Sequence, residues 1–352
     1  MNELNIRKAQ KTLNWIDSEC YIDGVGLRQY LHDNGTSKLP EDMRSFDGLS
    51  LAWTKQLDFW GDVRFVWKLL EQEKAILPLY MCQDDLDFSC IVIVADVEKT
   101  KDYVYWDRIG LVQLKDYDFA LEKKKGILDT DSYSEEDWEL YGDNIALAEI
   151  DSDEWCRWIS DYWDEELFRR RMNYTRLLYS SPQNILWFFD SDWEFERSQY
   201  EKAIDEYWIS ETLDSLSDYS GAELSTASCI DLVKKINRSG SEKLMEHKKD
   251  YGEVLLHIYL CEEIGEPLFA LLKSGSHSGF SLIYSKIIEL LWQYGDAAVK
   301  NVVDVTLLER LSDEDVVWNR FGKLISEEFR QYINGELLLG NCMMWGVKPI
   351  KG

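Results

Sequence analysis

Glu253, His257 and Cys261 recur at every fourth residue, which sets a carboxylate, an imidazole and a thiol on one face of a helix. These are zinc-ligand types, but a closed tetrahedral site takes four ligands, and no second Cys/His pair offers the fourth. The plainer reading is one face of an ordinary helical core. Asp84, Asp85 and Asp87 crowd the turn Gln83–Asp87 without a glycine to shape a cation loop. Asp129-Thr130-Asp131 opens like a calcium loop, yet Tyr133, Ser134 and Leu140 stand in place of a ligand, the shaping glycine and the bidentate glutamate. Asp190 and Asp192 follow an apolar run, an arrangement that can hold magnesium, but no Lys, His or glycine-rich partner lies nearby in the sequence. Gly24-Val25-Gly26 lacks the third glycine and the preceding strand of a dinucleotide loop. There is no nucleophile elbow and no catalytic-cysteine context. Spacing singles out no acid pair for glycoside cleavage among 66 carboxylates. The residues therefore assign no catalytic group, no metal ligand and no cofactor.

The chemistry that remains is binding. The chain has a net charge of −27, and 129–168 alone holds fifteen Asp or Glu with Arg157 as its only base. Tyr133, Trp138, Tyr141, Trp155, Trp158, Tyr162, Trp163 and Phe168 share that stretch, so it reads as a folded acidic surface and not as a disordered acidic tail. A pI near 4.5 argues against binding nucleic acid through its phosphates and against anionic membranes. It favours a basic partner, although acidity also serves plain solubility. Partner contact is expected at Glu135, Glu136, Asp137 and Trp138 on a loop. Further contacts are expected at Asp161, Asp164 and Glu165, which with Glu166 form the outward face of a helix capped by Ser152 and running to about Arg171. Trp155, Trp158, Ile159, Tyr162, Trp163 and Leu167 form its inward stripe.

The elements that must position these groups follow from periodicity and breakers. Ile6 to Cys20 predicts an amphipathic helix, Leu27 to His32 another turn, and Asp62 to Gln72 a second helix. Strands are expected at Ile76–Met81, at the sheet edge because of Pro78, and at Phe88–Ala95, Tyr103–Trp106 and Ile109–Leu114. Asn184–Phe189 is a further strand candidate or a buried turn, with helix from Trp193 to Trp208. Ser210–Ser228 is serine-rich and reads as linker. Then come helices: Glu242–Ile264, stopped by Gly265 and Pro267; Leu268–Lys273, ended by Ser274-Gly275; Ser281–Tyr294; one capped by Asp296 and running to Leu311; and one capped by Ser312 and running to Ile333. The expected fold class is α+β. A mixed domain with a small, mainly antiparallel sheet occupies 1–215, a linker 216–240 and an all-α domain 241–340. Seven scattered cysteines without a CxxC pair fit reduced thiols. Met1–Asn14 has no apolar signal core, and no run approaches the ~18 apolar residues of a membrane span. The expectation is a cytoplasmic protein with no membrane partner.

Two resemblances bear on function. Tyr251-Gly252-Glu253-Val254-Leu255-Leu256-His257, the Gly295-Asp296 break and the run Val302–Leu311 (VVDVTLLERL) resemble a small helical family of unknown biochemistry found in bacterial toxin-immunity loci. Leu256 stands where many of its members have proline. Between Ala75 and Leu114, Leu77-Pro78-Leu79, the run FSCIVIVAD and Tyr103-Val104-Tyr105-Trp106-Asp107 resemble the strand region of the SUKH superfamily, with Gln83–Asp87 replacing its glycine-rich acidic turn. Both resemblances imply a cytoplasmic antidote that binds a cognate toxin, and neither supplies catalytic residues. The expectation is an immunity protein whose acidic surface binds a basic toxin. An enzyme acting on a nucleotide or modified protein through an acidic metal site, and a non-catalytic regulatory scaffold, are the alternatives.

Overall fold

The computed structural model describes residues 1–8, 18–41, 44, 46, 48–84, 86–88, 90–113, 163–169, 171–172, 175, 178–179, 181–219, 221–275, 278–337 and 349–351. The fold is α+β: antiparallel sheets with some helices in the first part, helices from 197 onward. The chain divides into two compact units, Met1–Asp205 and Glu206–Gly352.

In the first unit, β1 (Leu4–Lys8), β2 (Ser18–Ile22) and β3 (Val25–Gly26) form one antiparallel sheet. The helix expected over Ile6–Cys20 is therefore corrected at both of its ends. Ile6 pairs with Cys20 and Leu4 with Ile22, and the period-2 burial of Cys20 and Ile22 is what a sheet face requires. Helix α1 (Leu27–Gly35) follows, where a turn of helix was expected. Glu19 ties these elements together: it accepts the Tyr80 hydroxyl at 2.8 Å and the Arg28 backbone N–H at 2.9 Å, and it pairs with the Arg28 guanidinium.

The second sheet runs in the order β4 (Leu49–Leu51), β5 (Lys74–Cys82), β6 (Val92–Lys99), β7 (Tyr103–Val112), β8 (Ile185–Glu196), all antiparallel. Pro78 does not mark an edge, because β5 lies between β4 and β6. The register shifts between Pro78 and Tyr80, so the missing N–H falls at a bulge, and the Pro78 carbonyl accepts the Trp53 indole N–H at 2.7 Å. The two strands expected over 103–114 are one strand, β7, with an irregularity at Asp107. The strand at 184–189 continues to Glu196, so helix begins at Arg197 and not at Trp193. Trp193 and Phe195 are needed on the inner face, where Trp106 sits 5.5 Å from Phe195 and 6.1 Å from Trp53. Helix α2 (Trp60–Glu71) packs on this core with every residue but Lys68 and Glu71 buried.

Helix α3 (Arg197–Ser217) contains the division between the units. The second unit continues with α4 (Thr226–Ile236) and α5 (Gly240–Tyr251). The segment 216–240 expected as a linker thus holds α4, whose Cys229, Val233 and Ile236 are buried and whose cap is Ser225. Serines served here as a cap and a solvated face. Next come α6 (Leu256–Leu260), a π-helical turn Cys261–Gly265 and α7 (Glu266–Ser274). Gly265 and Pro267 do not stop the helix, because a proline in the first turn of α7 sits where helical N–H groups have no partner to lose. Gly275 ends α7 at φ 76°, as its C-cap pattern predicts.

Helix α8 (Gly279–Tyr294) follows, and Asp296 then caps α9 (Ala297–Val302), accepting the Val299 N–H at 2.9 Å. A π-helical turn Val303–Leu307 leads into α10 (Leu308–Ser312), followed by α11 (Asp315–Gly322), α12 (Glu327–Tyr332) and the turn Ile333–Leu337. The single helix expected from Ser312 is two, with Ser326 capping the second. Leu260, Ile287, Leu291, Leu307, Phe321 and Phe329 are among the residues of this unit's core.

Candidate binding surface

The five-stranded sheet is buried on both faces over β4, β5 and the first half of β6, and toward β7 and β8 it leaves acidic side chains open on one face. On β7 and β8 the inner face is Val104, Trp106, Trp193 and Phe195. Residues between them in the pleat must point away from that core. Register sets Glu98, Tyr105 and Glu194 in one row across β6, β7 and β8, with Lys74 of β5 paired to Glu98 at 3.5 Å. Tyr103 stands opposite Glu196 in the next row. In the other direction Asp96, Arg108 and Asp190 form a row. Between these rows β7 and β8 are irregular: Trp106 pairs with Trp193 and Arg108 with Asp190, so Asp107 faces Ser191 and Asp192 outside the regular ladder. Asp192 adopts φ 47°, and Ser191 donates to the Trp106 carbonyl at 2.7 Å. The irregularity brings Asp107 and Asp192 to the surface, both exposed.

Desolvation by the surrounding strands first, then the carboxylates of Asp96, Glu98 and Asp192, push the Asp107 carboxyl up from its ordinary value. Desolvation, followed by Glu194, raises the Tyr105 hydroxyl. As Lys74 is for Glu98, Arg108 is a counter-cation on this face. It pairs with Asp96 at 2.9 Å and lies 4.2 Å over the Trp187 ring. Trp187 can take that place because its strand partner is Gly110, where a Cβ would come within 2.7 Å of the indole. At the end of this face a groove of about 590 Å³ opens between Tyr103, Glu196 and the first turn of α3. Arg197, on its wall, is committed to Glu201 at 2.7 Å and Glu73 at 3.0 Å. The face is therefore an acidic surface carrying two tyrosines.

Of the contact residues expected from the sequence, Glu135, Glu136, Asp137, Trp138 and Asp161 lie outside the described residues. Asp164 and Glu165 are described, and they do not face outward. Asp164 Oδ1 accepts the Gly61 N–H at 3.2 Å, and Glu165 pairs with Arg64. Glu166, also expected outside, is 4% exposed and pairs with Arg169 at 2.6 Å. Arg171 donates to the buried Asp62 at 2.9 Å, and Arg64 stacks 4.1 Å over Phe168. The reason is α2: it buries both Asp62 and Arg64, and buried charges take opposite charges as partners. Leu167 is buried, as its place in the inward stripe predicts, and Trp163 meets Phe59 edge-on at 6.5 Å.

The helix-face trio is also placed. His257 Nδ1 lies 2.7 Å from the Thr306 hydroxyl, Glu253 is exposed, and Cys261 is half-buried. Among the described residues no group of three or more His, Cys, Asp or Glu is arranged to hold a metal ion. Asp84 and Asp87 of the turn and the pair Asp190 and Asp192 belong to no such group, and Asp85 and Asp129-Thr130-Asp131 lie outside the described residues. Glu194 and Glu196 were absent from the sequence expectation of the sheet because 193–208 read as helix. Their signal was present in the strict alternation Asp192-Trp193-Glu194-Phe195-Glu196.

Residues 230–340 match the model of a domain of unknown function (DUF7674), which lies within the helical unit. No curated protein and no solved structure matches the chain. No helix among the described residues is long and apolar enough to cross a membrane.

Proposed function

We propose that the protein is an immunity protein that neutralises a basic toxin by tight, non-covalent binding in the cytoplasm. The observation that carries this reading is the acidic sheet face, with Glu98, Tyr105 and Glu194 in one row and Tyr103 and Glu196 in the next. Exposed carboxylates steer a basic partner to the face, and tyrosines hold it once docked. The resemblances to toxin-immunity and SUKH families support the same assignment. Glu135, Glu136, Asp137, Trp138 and Asp161 extend the proposed contact on sequence grounds. Asp164 and Glu165 are engaged within the chain, so the proposal does not rest on them.

The test is association kinetics with the product of the neighbouring gene at low and high salt. The expected association rate falls steeply with salt, because exposed charges are screened beyond ~8 Å at physiological ionic strength. Glu98→Lys combined with Glu194→Lys slows association several-fold and changes dissociation little. Tyr105→Ala speeds dissociation and costs about 2 kcal/mol. Absence of binding refutes the immunity reading. Binding with neither a salt slope nor an effect of the reversals refutes the sheet face as its site.

A further inference from the structure

Ile350 is 3% exposed and belongs to the core cluster of the helical unit, together with Phe321, Ile325, Phe329 and Ile333. Its main chain is held by one side chain. The Ile350 N–H donates to Asn334 Oδ1 at 2.8 Å, and Asn334 Nδ2 donates to the Ile350 carbonyl at 3.0 Å. An amide that satisfies both main-chain groups of one residue reads extended backbone as a neighbouring strand would. The opposite wall is Gly322, the last residue of α11. A Cβ there would overlap the Lys351 carbonyl oxygen and come within 2.7 Å of Ile350 Cγ1. The backbone of Gly322 is not in the left-handed region, so close approach is what calls for glycine at this position. The wall is also braced from behind: Arg330 Nη1 donates to the carbonyls of Gly322 at 2.7 Å and Ile325 at 2.8 Å. A buried aliphatic slot, a two-point backbone clamp and a glycine floor are the parts of a peptide-docking site.

We propose that Gly322, Ile325 and Asn334 form a docking site for one extended aliphatic residue. In the resting chain Pro349-Ile350-Lys351 fills the site as an intramolecular latch, and an equivalent extended segment added in trans takes the site when the latch is released. Ile350 supplies the side chain that fills the slot. Pro349 pre-sets an extended entry and needs no hydrogen-bond partner for its nitrogen. Because the latch is tethered, its effective concentration shuts out a peptide in trans. This inference is independent of the acidic sheet face.

The experiment uses the full chain and a fluorescently labelled peptide Val-Lys-Pro-Ile-Lys-Gly, with binding read by anisotropy. Ile350→Asp frees the site, because a carboxylate is excluded from an apolar slot. The expected result is saturable binding to the Ile350→Asp chain and binding at least about tenfold weaker to the natural chain. Adding Asn334→Ala to Ile350→Asp is expected to weaken the peptide roughly tenfold, and replacing the peptide's isoleucine by serine to weaken it by a similar factor. No binding to a folded Ile350→Asp chain overturns the proposal, as does equal binding to the natural chain. A second measurement does not depend on Ile350→Asp folding. In the otherwise natural chain, Asn334→Ala is expected to speed hydrogen exchange at the Ile350 amide by roughly tenfold or more, since it removes that amide's acceptor. Unchanged protection at Ile350 overturns the clamp.

Discussion

Gly110→Ala probes the acidic face through its packing. In an exposed strand, alanine in place of glycine is ordinarily favourable by about 0.5–1 kcal/mol, because glycine loses more conformational freedom on folding. At position 110 the added Cβ overlaps Ile185 Cγ2 and lies 2.7 Å from the Trp187 ring. Neither neighbour yields easily. Ile185 is buried and branched at Cβ, and Trp187 carries Arg108 stacked at 4.2 Å. Overpacking of this kind costs about 1–3 kcal/mol, which outweighs the entropic gain. With a urea slope of about 2 kcal/mol/M, the midpoint is expected to fall by roughly 0.5–1 M. Displacing Trp187 also loosens Arg108 from Asp96, so the face becomes effectively more acidic and association with the proposed basic partner is expected to speed up. Urea titration followed by tryptophan emission reads the first effect. Gly335→Ala is the control, since nothing lies within 4 Å of its Cβ, and its stability is expected to stay within about 0.5 kcal/mol of the natural protein. A Gly110→Ala midpoint equal to or above that of the natural protein refutes the packing argument.

Two further outcomes are expected. Arg64→Ala leaves Glu165 in a largely dry site and removes the cation over Phe168, so it is expected to cost about 3 kcal/mol and lower Tm. A calorimetric Tm within a degree or so of the natural protein counts against that ion pair holding α2 to the 163–169 stretch. At Asp304, burial raises the carboxyl above its ordinary value, while the Tyr332 hydroxyl, donating at 2.9 and 3.0 Å, and Lys300 oppose the shift. The folded state therefore keeps the proton to higher pH than the unfolded chain. Stability falls as pH rises from the ordinary Asp value of about 4 through the folded value. Asp304→Asn keeps an acceptor for Tyr332 and removes the titration, so the urea midpoint is expected to rise at pH 7 and to vary less just above pH 4. A lower midpoint at pH 7 contradicts this sign.

Much of the helical unit was legible because its signals are local. Gly275 after Ser274, Asp296 before α9 and the apolar spacing of Val317, Phe321 and Phe329 each act within a turn or two of helix. The sheet strands over 74–112 were legible in part, since β-branched runs flanked by turn residues need no distant partner to be recognised. The two ends of Ile6–Cys20 were misread because the five residues of β1 or of β2 carry too few alternations to compete with a helical period until each strand has its partner. The candidate face was missed for a related reason. Glu98, Tyr105 and Glu194 are far apart in the chain, and only the β6–β7–β8 register makes them one row.

The sequence by itself determined that this is an α+β chain with a strongly acidic surface and a helical second part, because composition and short-range periodicity express those properties residue by residue. Tertiary structure alone decided where the charge is spent. Glu165 belongs to the most acidic stretch, yet it is paired by Arg64 of α2, 101 residues away. Among the described residues an open acidic face is built from strands where charged and apolar residues alternate. A carboxylate costs much to bury alone and little once it meets a guanidinium, and which carboxylates find one depends on the packing of elements a hundred residues apart. The same holds for Ile350, an unremarkable residue in the sequence that Asn334 and Gly322 turn into a latch.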